Sequence, residues 1–150
     1  MQRELDIKYM KEAEKIAATS TCIRENRKVG SIAVLNDKII VTGYNGTPDG
    51  VYSCIKRNYC PRIKRNVPKG NSLEISYCLH SEQALVCNAA KAGIAMQGST
   101  VYCTHQPCAI CFKILINAGV IRIVYKHEYY DEISEKIAKE IGYDIVKLTM

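Results

Sequence analysis

Apolar residues recur along this chain with two periods, and the switches between them mark its elements. Residues 4–19 place Tyr9, Ala13, Ile16 and Ala17 on one face of a helical repeat, with Lys8, Lys11, Glu12 and Glu14 mostly elsewhere. This predicts an amphipathic helix that ends at Thr19-Ser20-Thr21. Ser31 to Leu35 and Lys38 to Tyr44 read as two strands joined by the turn Asn36-Asp37, a β-hairpin. His80 to Ala92 reads as a helix that turns Ala84, Leu85 and Ala89 inward, with Cys87 as a small core residue and Gly93 closing it. Ser99 to Cys103 is a strand, and Thr104-His105-Gln106 leads out of it. A second helix starts with Pro107 in its first turn, runs to Ala118 and stops at Gly119. Ile121 to Tyr125, Asp131 to Ile141 and Tyr143 to Leu148 follow as strand, amphipathic helix and strand. Strands thus alternate with helices after an opening hairpin. That predicts one α/β domain over residues 1–150, with three layers: a mixed sheet of about five strands and helices on both faces.

Two stretches fall outside this pattern. Gly43-Tyr44-Asn45-Gly46-Thr47-Pro48-Asp49-Gly50 is rich in turn formers; it is either an ordinary loop or a place where the backbone comes close to a ligand. Residues 51–79 hold Cys54, Cys60 and Cys78 together with Lys56, Arg57, Arg62, Lys64, Arg65 and Lys69. An irregular segment of that length inside a compact domain calls for something to pin it. With Cys22, the three cysteines offer the donors of a closed four-thiolate zinc site; the alternative is that some are free thiols. The basic cluster is a solvated surface by default, and a phosphate attractor otherwise.

Composition narrows the setting. No apolar run is long enough to span a bilayer, and the charged start MQRELDIKYMKEAEK does not read as a secretory signal. The expected location is the reducing cytoplasm, where eight cysteines serve as metal ligands or free thiols rather than as a disulfide framework. The net charge of +6 suits an anionic partner, a nucleotide or a nucleic acid, without choosing between them.

The candidate chemistry lies in His80-Ser81-Glu82 and Pro107-Cys108-Ala109-Ile110-Cys111. One imidazole and two thiolates make three zinc ligands and leave a fourth tetrahedral position for water, the pattern of a catalytic zinc. Cys108 and Cys111 share one helix face, and a helix N-terminus favours thiolate. Glu82 lies close enough to take a proton from that water and pass it to a leaving amine. His-x-Glu followed by Pro-Cys-x-x-Cys is the signature of zinc deaminases that act on nucleobases.

From about Tyr9 to Tyr130 the chain resembles the cytidine/deoxycytidylate deaminase superfamily. Arg27-Lys28-Val29-Gly30, Thr42-Gly43-Tyr44-Asn45-Gly46-Thr47-Pro48, His80-Ser81-Glu82-Gln83-Ala84 and Thr104-His105-Gln106-Pro107-Cys108 carry the likeness, with Ile116 to Val120 and Arg122 to Tyr125. Within the superfamily it is most similar to the deoxycytidylate deaminases and the late-competence proteins of bacteria. The resemblance implies hydrolytic deamination of dCMP to dUMP, supplying thymidylate synthesis. It implies catalytic zinc on His80, Cys108 and Cys111, with Glu82 as proton carrier. It implies substrate contacts at Asn45, Arg27, Thr104, His105 and Tyr125, and a second, structural zinc, which supports the Cys22, Cys54, Cys60 and Cys78 reading. It further implies a homo-hexamer activated by dCTP and inhibited by dTTP, with Mg2+ accompanying the triphosphate, bound near Gly43, Tyr44, Asn45 and Gly46. Two other readings stand beside it. One is a deaminase of tRNA or single-stranded DNA; a chain with no Trp and one Phe disfavours nucleic acid, though ten Tyr keep base stacking available. The other is a non-catalytic, zinc-stabilised nucleotide sensor or competence accessory, against which Glu82 speaks.

Overall fold

A computed structural model describes all 150 residues. Five strands form one sheet: β1 (Gly30–Leu35), β2 (Lys38–Tyr44), β3 (Thr100–His105), β4 (Arg122–His127) and β5 (Asp144–Lys147), in the order β2-β1-β3-β4-β5. β1 runs antiparallel to both β2 and β3, and β3, β4 and β5 are parallel. The hairpin turns at Asn36 and Asp37, both at positive φ, which matches the twist of the strands it joins.

Helix α1 (Gln2–Ala18) covers one face and α4 (Ser81–Ala92), α5 (Ala109–Asn117) and α6 (Glu132–Ile141) cover the other. Alternation along the strands divides the core accordingly. Ile32, Val34, Tyr102 and Val124 pack on Tyr9, Met10 and Ala13 of α1. Ala33, Val101, Cys103 and Ile123 pack on Leu85, Phe112 and Leu115 of the opposite helices. α1 carries one polar anchor that its apolar pattern does not announce. Buried Asp6 pairs with Arg122 through both carboxylate oxygens, at 2.8 and 2.9 Å, and accepts from the Tyr102 hydroxyl at 2.9 Å. The predicted three-layer mixed sheet is the fold observed.

Three local expectations change. Cys87 is exposed on α4, and the buried cysteine of this core is Cys103 on β3; the inward stripe of α4 passes through Leu85 and Ala89 and leaves position 87 on the outer side. α5 begins at Ala109, so Pro107 precedes the helix and Cys108 is its extended N-cap. β3 continues through Thr104 and His105, because pairing with β4 extends to His127. The irregular stretch after β2 contains two short helices, α2 (Cys54–Arg57) and α3 (Pro61–Lys64), before the chain reaches α4.

Candidate active site

Two helix N-termini meet where β3 ends, the region outside the carboxyl ends of parallel strands where α/β proteins place their sites. His80 is the N-cap of α4 and Cys108 the N-cap of α5, with Cys111 one turn further on. Each start is fixed locally. The Gln83 side chain turns back to accept from the His80 backbone N–H at 2.8 Å. Ser31 on β1 donates to the Ser81 carbonyl at 3.0 Å. Gly43 on β2 lets α4 approach the sheet: a Cβ there would stand 2.5 Å from the Ser81 carbonyl oxygen and 2.5 Å from the Leu85 nitrogen. Asp131 caps both neighbouring helices, accepting from Ala109 N–H at 3.3 Å and from Ser134 N–H at 3.0 Å.

This framework brings the three expected ligands together. His80 Nδ1 stands 3.6 Å from Cys108 Sγ and 3.3 Å from Cys111 Sγ, and all three donor atoms lie within 4.8 Å of one another. A nitrogen at about 2.05 Å and a sulfur at about 2.3 Å from one tetrahedral zinc stand roughly 3.6 Å apart, so the spacing fits zinc. The donor set fits as well: Cys108 is held well below the ordinary thiol range by the hydrogen bond from Cys111 and by His80, while the Cys111 thiol is held up by Cys108 and by burial. His80 is shifted upward, chiefly by its hydrogen bond with Cys108.

Glu82 is 5% exposed and sits against this cluster. Burial raises its carboxyl above the ordinary range; its own backbone N–H and the nearby His80 pull the other way. A carboxyl so placed can hold a proton at one stage of a reaction and give it up at another.

The cluster opens into a cavity of about 160 Å3. Among the predicted residues, His80, Glu82, Cys108, Asn45, Arg27 and His105 line it, and so do Cys22, Cys54, Cys60 and Cys78. The Asn45 amide is largely committed to the fold: Oδ1 accepts from Val29 N–H at 2.8 Å and from Ser20 Oγ at 2.7 Å, and Nδ2 donates to the Arg27 carbonyl at 2.7 Å. One Nδ2 hydrogen remains for a ligand. Thr104 is buried behind the wall, its Oγ1 accepting from Gly30 N–H at 3.1 Å and lying 3.2 Å from His105 Nδ1. His105 is pushed down to about 4 by burial and by the charges of His127, Lys69 and Arg27, and is therefore neutral at pH 7. Tyr125 is buried in β4 and does not line the cavity. Of the loop expected to meet an effector, Gly43 faces α4, Tyr44 is exposed, and the Gly46 carbonyl accepts from Leu79 N–H at 2.8 Å, tying the loop to the approach to His80.

Cys22, Cys54, Cys60 and Cys78 are drawn to one wall without closing into a cluster. Cys54 Sγ and Cys78 Sγ are 3.8 Å apart. The His80, Cys108 and Cys111 set is the one that converges as a metal cluster. Burial raises the Cys54 thiol and pushes Cys78 up to about 12.

Sequence reasoning gave no site role to several cavity residues, among them Arg24, Arg62, Lys69 and Tyr129. Arg62 and Lys69 belong to the basic cluster that reads as solvated surface. Nothing in their spacing sets them apart from Lys56 or Lys64, because their placement depends on how the irregular segment folds back.

Comparison with known proteins agrees with this geometry. Residues 3–127 match the family described as the cytidine and deoxycytidylate deaminase zinc-binding region. A deoxycytidylate deaminase of Saccharomyces cerevisiae is 34% identical over 143 residues, covering 95% of this chain and 44% of that protein. The ComE operon protein 2 of Bacillus subtilis is 29% identical over 121 residues, covering 81% of this chain and 58% of that protein. The chain spans about half the length of these two curated relatives. A crystal structure of the dCMP deaminase from the cyanophage S-TIM5, in complex with dCMP and dUMP, superposes with a TM-score of 0.76 at 32% identity and covers 98% of each chain. A deaminase/reductase structure from Thermotoga maritima shares the fold at 18% identity and a TM-score of 0.67, over 98% of this chain and 37% of that one. By the span of the match and the ligand cluster inside it, the chain belongs to the cytidine and deoxycytidylate deaminase zinc-binding family.

Proposed function

We propose that the protein deaminates dCMP hydrolytically, exchanging the C4 amine of cytosine for a water-derived oxygen and releasing dUMP and ammonia. One observation carries this reading: a buried carboxylate beside a His-Cys-Cys cluster, in a cavity lined by four cations that have no acidic partner. Arg24, Arg27, Arg62 and Lys69 line the cavity, and none takes part in the ion pairs of the structure. Glu82 is the one carboxylate among the lining residues. An unpaired cationic wall suits an anionic substrate, and the relatives named for deoxycytidylate support a nucleotide.

His80, Cys108 and Cys111 would hold the zinc, which when bound supplies a water of lowered pKa. Glu82 takes a proton from the attacking water and delivers it to the departing amine nitrogen. The cavity wall around Asn45 and His105 orients the base and sugar, and neutral His105 adds a hydrogen-bonding ring without further charge. The test is an ultraviolet assay of zinc-loaded protein with dCMP, CMP, deoxycytidine and dCTP in parallel. Conversion of dCMP far above the others is the expected result; conversion of none removes the reading.

Two finer parts belong to the same reading. A second zinc would draw Cys22, Cys54, Cys60 and Cys78 together, supported by the 3.8 Å spacing of Cys54 and Cys78, close to the roughly 3.8 Å that tetrahedral zinc sets between two sulfurs. Elemental analysis should then find about two zinc ions per chain rather than one. Control by dCTP as activator and dTTP as inhibitor, with Mg2+, in a cytoplasmic homo-hexamer feeding thymidylate synthesis, is supported by the likeness of the Gly43 to Gly46 stretch to deoxycytidylate deaminases. Sizing of the protein and rate measurements with and without dCTP and Mg2+ test it.

A further inference from the structure

Arg62 is 6% exposed and has no carboxylate within ion-pair reach. A buried guanidinium without a counter-charge is costly unless its donors are used. Here they are used on one short segment. Nη1 donates to the Ser72 carbonyl at 2.7 Å, and Nη2 donates to the Pro68 carbonyl at 3.0 Å and the Asn71 carbonyl at 2.8 Å. All three acceptors belong to residues 68–72. Arg62 therefore fastens this segment as a strap, whose shape requires positive φ at Gly70 and Ser72.

The strap leads onto the far side of the cavity. Gly70 lies so close to Tyr129 that a Cβ would stand 2.8 Å from its hydroxyl. Lys69 Nζ sits 5.4 Å from the Tyr129 ring centroid, a cation–π contact that restrains an otherwise mobile ammonium. Lys69 is exposed and lines the cavity, placed at the rim rather than deep in the wall. Arg24 and Arg27 line the same cavity, and the Arg24 Nε is buried without a hydrogen-bond partner. The strap thus adds a third cation to two arginines that are already unpaired, at the mouth of a site whose one carboxylate lies beside the metal ligands.

We propose that Lys69, presented by the strap that Arg62 fastens, is a specificity-determining residue that pairs with the 5′-phosphate of the substrate, and that Arg62 is its positioning residue. The inference rests on the nucleotide deaminase reading. In that setting Lys69 separates nucleotide from nucleoside, since a bound deoxycytidine leaves the rim cations unpaired. Arg62 spends its guanidinium donors on residues 68–72, so its contribution is the fixed path of that segment, which lowers the ordering needed when the phosphate arrives.

Steady-state kinetics on zinc-loaded Lys69→Met, Arg62→Met and the double variant test this, together with inhibition constants for dUMP and deoxyuridine. Lys69→Met is expected to raise the KM for dCMP about tenfold or more with kcat within about twofold, and to shrink the preference for dUMP over deoxyuridine by a similar factor. Arg62→Met is expected to do the same, and the double variant to add little, because both changes remove one delivered charge. An unchanged dUMP-to-deoxyuridine preference in Lys69→Met overturns the proposal, even if the arginine variant does not fold. Independent, multiplying effects of the two substitutions overturn the positioning role. A wild-type protein inactive on dCMP overturns the deaminase reading itself, which separates that failure from this one.

Discussion

Two sets of metal-capable side chains face one cavity, and they arrive by different routes. His80, Cys108 and Cys111 sit on the first turns of two helices anchored to the same sheet. Their donor atoms stand at spacings that suit one tetrahedral zinc. Cys22, Cys54, Cys60 and Cys78 sit on irregular chain and two short helices; they reach the same wall, where Cys54 and Cys78 stand 3.8 Å apart without a third thiol closing the set into a cluster. Regular elements deliver ligands preformed, because the hydrogen bonds and core contacts that fix a helix start also fix its side chains. Loop ligands lack that scaffold, so a metal would itself supply the final convergence, and binding there is in part folding.

The largest expected effects fall on the helix-borne set. Cys111→Ser should lose the zinc and turnover together, measured by elemental analysis beside the dCMP assay. Glu82→Gln should keep the zinc yet lose activity about 10^3-fold or more, because proton transfer alone is removed. Retained activity in Glu82→Gln sinks its proton-carrying role.

Gly43→Ala comes next. Its Cβ would crowd Ser81 and Leu85 at 2.5 Å, so α4 must shift, at a cost of about 1–3 kcal/mol in stability. Because α4 carries His80 and Glu82, turnover should fall as well, at metal content close to normal. Full activity in this variant would show that the scaffold does not set the geometry of the helix-borne ligands.

Smaller effects are expected in the loop-borne set. Cys60→Ser should leave His80, Cys108 and Cys111 loaded with zinc while residues 51–79 become more sensitive to protease. Unchanged digestion together with unchanged zinc content removes Cys60 as a ligand.

The smallest effect concerns pH. His105 is held near 4 in the folded protein, chiefly by burial and then by the charges of His127, Lys69 and Arg27, against about 6.5 when unfolded. Above pH 6.5 both states are neutral and His105 contributes no pH dependence. As pH falls from about 6.5 to 4 the unfolded chain takes up a proton the folded one does not, so stability declines across that window. Urea midpoints at several pH values should show a shallower acid decline in His105→Gln than in the parent protein; identical slopes would mean His105 is not held neutral.

Periodicity placed every long element, because the core faces of α1, β1, β2, β3 and β4 are apolar at the spacing each element requires. The convergence of His80, Cys108 and Cys111, with Glu82 beside them, was legible for a related reason: their spacings are local, and a helix start converts local spacing into geometry. Cys87 misled, since a small apolar residue fits either side of α4 and only the stripe through Leu85 and Ala89 decides which side faces the core. The Asp6–Arg122 pair was illegible, because it joins residues 116 positions apart and each alone reads as a surface charge.

The sequence by itself determined the fold class, the family and the metal-binding chemistry, all of which depend on periods and motifs a few residues long. Tertiary structure alone decided which of many similar basic residues face the cavity, that Tyr125 does not, and that Arg62 fastens a strap from beneath. The positions of Arg62 and Lys69 depend on how residues 51–79 fold back onto the cavity. That path is set by side-chain to backbone hydrogen bonds and burial, which leave no period in the chain.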